Sequence, residues 1–192
     1  MMKPSEFDQL TKSVWSPYLE NDLGFSFEDG AFFREMPDGT RHVILLDFDV
    51  RKAKTFRIII GFNSAIISPG ISPVEAGVFG VRYLDESGFC DVPKNLSCFN
   101  QDSARASLVK TLPVVKDVVT PWFEDHQTVP AIAELVEESH PFIKGRLLLQ
   151  ANRRDEARRY FLQHEKYLRA QPQTDVVSQG LQVTTELLSL CG

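Results

Sequence analysis

Two stretches in the first third of the chain alternate apolar and polar residues, and both do so in the same parity. Residues 41–50 place Ile44, Leu46, Phe48 and Val50 at even positions, and residues 55–64 place Phe56, Ile58, Ile60 and Phe62 there. Side chains of a strand point alternately to opposite faces, so each stretch reads as a strand with one apolar face. Arg51-Lys52-Ala53-Lys54 reads as the loop between them. Antiparallel neighbours share a core face, so the even positions of both strands are expected on it. A sheet with one such face needs another layer to cover it.

The flanking sequence extends this sheet. Phe25-Ser26-Phe27, Asp29-Gly30 and Ala31-Phe32-Phe33-Arg34 read as a hairpin around a tight type I′ turn, and Pro37-Asp38-Gly39-Thr40 as a second turn. Residues 78–84 resume as a strand, and 89–92 with 96–99 read as a short hairpin or irregular edge. Ahead of the sheet, Ser5 reads as a helix N-cap. Phe7, Leu10, Val14 and Tyr18 follow at helical spacing, which predicts a first helix over about 5–20. From Asp102 onward the pattern is helical. Leu108, Leu112, Val115, Val119 and Trp122 keep a 3.6 period across Pro113, which is expected to kink or split that helix, with Pro121 a second break. Helices are then expected over 129–138, 143–151, about 154–170 and about 175–190.

Eleven of the 14 Phe lie in the first 100 residues. Residues 140–192 hold eight Lys/Arg against five Asp/Glu, a balance of +3, whereas 1–139 hold thirteen against twenty-one, or −8. Loss of Phe and gain of basic charge place the expected boundary near 140, with an α+β domain at 1–139 and a helical extension at 140–192. An acidic body repels a phosphate backbone, so nucleic acid is disfavoured as a partner. No apolar run approaches the ~20 residues of a membrane span. The N-terminus lacks an apolar signal core, and the three cysteines, Cys90, Cys98 and Cys191, are an odd and small set. Both point to free thiols in a reducing, cytoplasmic setting.

The residues Leu23-Gly24-Phe25, Gly30-Ala31-Phe32-Phe33-Arg34, 42–49, 56–61, Val81-Arg82-Tyr83-Leu84 and Thr120-Pro121-Trp122-Phe123 together resemble the bacterial family of domain of unknown function 4304. The resemblance covers about residues 5–138. Leu96-Ser97-Cys98-Phe99 departs from it, standing where relatives commonly show aromatic residues. These motifs occupy structural positions, so the resemblance implies a fold and carries no catalytic residue. In the tail, Gly145, Leu148, Ala157 and Phe161 fall at the spacing of packing residues in a tetratricopeptide helix pair, where small residues let two helices approach and a large one fills the wedge. A single pair cannot bury both of its faces, so it is expected to dock on the body, on the helix from about 175, or on a partner.

Few constellations carry chemistry. Asp47 and Asp49 share a strand face, as a general acid/base or metal-binding pair would. Arg57 on the next strand has matching parity, and a cross-strand ion pair explains the same residues. His42 has the opposite parity and is expected on the other face. His126, His140 and His164 are scattered without zinc spacing, and His164 reads as an interface histidine. Gly-x-Ser-x-Gly and Gly-x-x-x-x-Gly-Lys are absent. Arg153, Arg154, Arg158 and Arg159 form the basic cluster. Asp155 with Arg159 and Glu165 with Arg169 are i,i+4 pairs of a solvated helix face, and the cluster is also the candidate surface for an acidic partner.

The expected fold is therefore α+β: an antiparallel meander of five or six strands, an N-terminal helix on its core face and a helical C-terminal half. The leading functional expectation is a non-catalytic protein-interaction module of a bacterial cytoplasm, docking through the helices after about 140; within the same class, an inhibitor would bring an acidic face of the −8 body to a basic partner. The rival is an enzyme or small-molecule binder with a pocket between the sheet and the kinked helix 102–124, for which Arg34, Asp47, Asp49, Arg57 and Trp122 are the candidates. Neither a metal nor another cofactor is implied.

Overall fold

A computed structural model of the chain describes residues 2–28, 30–48, 54–64, 78–84, 89, 92 and 96–192. It divides into two compact units, Met1–Asp125 and His126–Gly192. The change of composition near 140 thus falls inside the second unit. Glu134, Glu137 and Glu138 belong with the basic residues that follow them. The second unit holds eight Lys/Arg and eight Asp/Glu and is neutral in sum.

The first unit is the α+β body. Strands β1 (Ser26–Glu28), β2 (Ala31–Glu35), β3 (Thr40–Phe48), β4 (Thr55–Ser64) and β5 (Phe79–Tyr83) follow one another in an antiparallel meander, and β6 (Leu96–Ser97) also pairs with β4. β5 pairs along Ile59–Phe62 and β6 along Thr55–Phe56, so two short strands share one edge of β4. The β1–β2 register, with Glu28 opposite Ala31, leaves a two-residue turn, and Gly30 takes the φ of +81° that such a turn demands. At the next turn the Asp38 carboxylate accepts from both the Thr40 backbone N–H and its hydroxyl, as Asx turns do.

The shared parity of β3 and β4 is realised. Ile44 stands opposite Ile60, Leu46 opposite Ile58 and Phe48 opposite Phe56. Of these only Phe48 is not fully buried. Val50 lies outside the described residues. At about 25 cal/mol per Å² of apolar area, each of these side chains contributes roughly 1.5–3 kcal/mol on burial, which makes any one-residue slip of register prohibitive.

Helices cover this face. α1 (Pro4–Leu19) lays Phe7 against Phe48 and Phe56, with ring centroids 5.2 and 4.8 Å away, and Trp15 against Phe32. It starts before the expected Ser5 cap, because Pro4 suits the first helical position and the Glu6 carboxylate accepts from the Lys3 N–H at 2.8 Å. Its inward stripe also turns by one residue. Trp15 and Leu19 are fully buried, while Val14 and Tyr18 are half-buried. The Trp15 indole N–H donates to the Leu108 carbonyl at 3.0 Å, satisfying a polar group in a fully buried ring and fastening α1 to α2 (Gln101–Val114).

Beyond Pro113, α2 widens into a π-helical turn, Val115–Val119, and continues as α3 (Thr120–Asp125). The Thr120 N–H reaches back five residues to the Val115 carbonyl, and its hydroxyl donates to the same oxygen at 3.0 Å. Pro113 and Pro121 both lack the N–H of the i→i−4 ladder, and the wider turn resets the register between them.

The second unit consists of α4 (Val129–Leu135), α5 (Pro141–Gln150), α6 (Arg154–Arg169) and α7 (Asp175–Leu190). The α5–α6 connection is a Schellman motif. Asn152 adopts φ +60°, its N–H bonds the Leu149 carbonyl at 3.0 Å, and the Arg153 N–H bonds the Leu148 carbonyl at 2.9 Å. The helix pair closes where the small residues stand. Leu148, Ala157 and Phe161 are buried, and a Cβ built on Gly145 would come within 2.7 Å of the Phe161 ring. Among the described residues no helix is long and apolar enough to cross a membrane.

Candidate functional site

Arg34 on β2 stands directly opposite His42 on β3, so both side chains share the face that the helices cover. The Arg34 Nη2 group lies 3.0 Å from His42 Nδ1 and 2.9 Å from Glu124 Oε1 on α3. A guanidinium can only donate, so Nδ1 is an acceptor and His42 is a neutral imidazole carrying its proton on Nε2. The ring is fully buried, stacks on Phe123 at 4.5 Å with planes 5° apart, and meets Phe62 edge-on. Arg34 itself lies over the Phe25 ring at 5.1 Å. The cluster ties the β2–β3 ribbon to α3. A general base would need an open Nδ1 and access to a substrate, whereas this nitrogen is committed to Arg34.

The described candidates for a sheet–helix pocket are divided between the two faces of the sheet. Arg34 and Trp122 lie toward the helical layer, with Trp122 half-buried and its ring 5.0 Å from Phe62. Asp47 and Arg57 stand opposite each other on the other face of β3 and β4, the register their parity predicts. Asp47 is exposed there, and the Arg57 guanidinium lies 4.2 Å from the Tyr83 ring centroid. Asp49 and Cys90 lie outside the described residues. Among the described residues no group of three or more His, Cys, Asp and Glu is placed to hold a metal ion. Cys98 is fully buried, and that burial pushes its thiol up to about 11.

The basic cluster of the second unit is divided between different roles. Arg153 is clamped internally. Its Nε and Nη2 each lie 2.6 Å from the two Glu156 oxygens, and Nη1 lies 2.7 Å from Glu134. These hydrogen bonds hold the Glu156 carboxyl below its usual range and the Arg153 guanidinium above its own. Arg159 turns to Tyr160, lying over its ring at 5.0 Å and donating to its hydroxyl at 3.3 Å. It therefore does not form the expected pair with Asp155, whereas Glu165 and Arg169 do pair, at 2.7 Å. Arg154 and Arg158 are exposed and make no ion pair with a described residue.

Beneath this surface Lys144 is almost fully buried, and its ammonium donates to the Val136 carbonyl at 3.0 Å and to Glu138 at 2.9 Å. Tyr160 donates to the same Glu138 oxygen at 2.7 Å. The Tyr160 hydrogen bond, followed by that of Lys144, holds the Glu138 carboxyl below its ordinary value. Burial alone would lower the Lys144 pKa, but the Glu138 hydrogen bond and the neighbouring charges outweigh it and leave the ammonium above its usual range. This network joins α5, α6 and the connection after α4.

On the same unit a cleft of about 490 Å³ opens between the start of α5 and the outer side of α6. Ser139, Pro141, Phe142 and Ile143 line one wall, Gln163, His164 and Tyr167 the other, with His140 at the mouth. His164 sits between two rings, 5.0 Å from Phe142 and 6.3 Å from Tyr167. Its burial lowers the imidazole pKa, so the neutral ring lines the cleft at neutral pH. The Arg146 guanidinium lies over the Phe142 ring, 5.6 Å from its centroid.

Ser139 Oγ lies 2.9 Å from a Glu137 oxygen and 3.1 Å from His140 Nδ1. Because the carboxylate can only accept, the serine proton points to Glu137 and His140 donates to the serine oxygen. That order is the reverse of a base-activated nucleophile.

Sequence reasoning placed His164 at an interface but did not join it to His140, and it missed Phe142, Tyr167 and Glu124 altogether. The only available signal was the outward position of Tyr167 on a helix whose inward stripe is Ala157, Tyr160 and Phe161. No family model, curated protein or solved structure matches the chain.

Proposed function

We propose that this chain is a protein-interaction module, and that the cleft between α5 and α6 receives an aromatic or branched aliphatic side chain of a partner polypeptide. The observation that carries this reading is the cleft's lining. Phe142, the neutral His164 and Tyr167, which is 58% exposed, form a row of rings open to solvent. Rings that already stand on rigid helices lose little conformational entropy on binding, which is why aromatic side chains anchor many interfaces. Ser139, Gln163 and His140 supply hydrogen-bonding groups around the apolar floor, the arrangement of a specific interface with a polar rim. With Arg153 and Arg159 committed internally, this row is better suited to docking than the basic face.

The test is affinity capture from the source cells with the full chain and with Phe142→Ala and Tyr167→Ala variants, after matching their melting temperatures. The reading expects one stoichiometric polypeptide held by the native chain and lost, by tenfold or more in affinity, from both variants. A partner retained equally by all three places docking elsewhere and overturns the assignment of the cleft.

A further inference from the structure

His164 is the one titratable group in the cleft that is half-buried in its wall, with the Phe142 ring of α5 5.0 Å away and the Tyr167 ring of α6 6.3 Å away. The imidazole makes no hydrogen bond or ion pair with a described residue, so its contacts are those two rings. Because the ring lines the cleft, a side chain that fills the cleft displaces the water the imidazole still meets. Docking therefore falls on a group whose charge depends on that water.

No counter-ion waits for an imidazolium there. α5 brings His140 at its start and the Arg146 guanidinium, 5.6 Å from the Phe142 centroid. α6 brings the Tyr167 phenol, and its Glu165 is paired with Arg169 at 2.7 Å. Before α5, Glu137 is bound to Ser139, and no carboxylate lines the cleft. α7 packs on α6 where Gly180 meets Leu168, and it brings no charge that acts on His164. The rings offset little of the cost of a positive imidazole, because Phe142 already faces the Arg146 cation. Burial with no charge to oppose it accordingly lowers the His164 pKa even with the cleft empty.

We propose that docking in the α5–α6 cleft is gated by pH: a partner side chain enters while His164 is neutral and is expelled when the ring takes up a proton. The gate rests on the cleft being the docking site, as proposed above, and adds the regulation of that site. An occupant strips the remaining water from the ring and so disfavours the imidazolium further. Proton and occupant compete, and by reciprocity affinity falls as pH falls through the His164 titration. A titration moved down by about one pH unit on docking corresponds to about tenfold weaker binding in acid.

Indole, which is the ring system of a tryptophan side chain, serves as the probe, with the full chain followed by proton NMR. The His164 ring resonances, assigned by their loss in His164→Gln, are titrated from about pH 8 to about pH 5 with and without indole. Indole is expected to perturb the Phe142 and Tyr167 rings, to bind about tenfold more tightly at the upper end, and to move the His164 titration downward. His164→Gln is expected to make indole affinity independent of pH, whereas His140→Gln keeps the dependence. Indole that leaves Phe142 and Tyr167 unperturbed at about pH 8 refutes the cleft as a receptor for aromatic side chains, and the gate with it. Three results refute the gate alone: equal affinity at both ends, a pH dependence that survives His164→Gln, or a His164 titration that indole leaves unmoved or raises.

Discussion

Gly145 sets two opposing effects against each other, and the structure decides between them. It lies inside α5, where alanine in place of glycine is ordinarily worth about 1 kcal/mol of helix stability. A Cβ at this position would sit 2.7 and 2.9 Å from two Phe161 ring carbons. An ordinary carbon contact is about 3.5 Å, so the overlap is about 0.8 Å. Phe161 is fully buried, as are Leu148 and Ala157 of the same helix pair, so the ring has no solvent-side space to enter. Overpacking of this kind costs about 1–3 kcal/mol. Gly145→Ala is therefore expected to destabilise the protein by about 1 kcal/mol net, despite its better helix propensity.

The sign is what discriminates. In a Phe161→Leu background the ring is gone, and the same glycine substitution is expected to stabilise by about 0.5–1 kcal/mol, a coupling near 2 kcal/mol between the two sites. Urea unfolding of the four proteins followed by far-UV circular dichroism closes the cycle. If Gly145→Ala stabilises the native background as well, the helices have slack at this crossing, and the close approach is not what selects glycine.

Further outcomes follow from the same geometry. Lys144→Met removes the ammonium but leaves the Val136 carbonyl and Glu138 facing the gap, and is expected to cost about 2 kcal/mol in chemical denaturation; unchanged stability would show that the network is dispensable. The lowered pKa of His164 means that the unfolded chain takes up its proton first as pH falls, so stability is expected to decline below about pH 6.5 until the folded ring also protonates. A pH–stability slope that His164→Gln leaves unaltered would contradict this. Cys98, with its thiol raised to about 11, is expected to react with a disulfide reagent at pH 8 only as fast as the chain opens, in a Cys90→Ser/Cys191→Ser background. Prompt labelling of native protein would refute its burial.

The sheet was legible because its information is local. Period-two alternation and shared parity in 41–50 and 55–64 specify which faces meet, and the observed register follows them residue for residue, including Asp47 opposite Arg57. The Gly145–Phe161 contact was legible for a similar reason, since two neighbouring helices joined by three residues have few ways to pack. The Arg34–His42–Glu124 cluster was not. Its third member stands 90 residues from the first, and a glutamate on the exposed end of a helix carries no mark of its partner.

The first helix shows how near-misses arise. Phe7 and Leu10 fit two helical stripes equally well, and only the Trp15 bond to Leu108, 93 residues away, chooses between them. The commitment of Arg153 was not legible because one of its acids, Glu134, comes from before the change of composition at the expected boundary. The cleft was invisible because its two walls mix half-buried with exposed residues and stand 20 or more residues apart, which no periodicity registers.

The most direct measurement is site-specific photo-cross-linking in the source cells, with a benzophenone amino acid in place of Tyr167 and, as the control, in place of exposed Val109 in the first unit. The interaction reading predicts one discrete adduct from position 167, absent at 109 and suppressed when Phe142→Ala is added to the same chain. Adducts that are the same from both positions, or no adduct at 167 above the unirradiated sample, would contradict it.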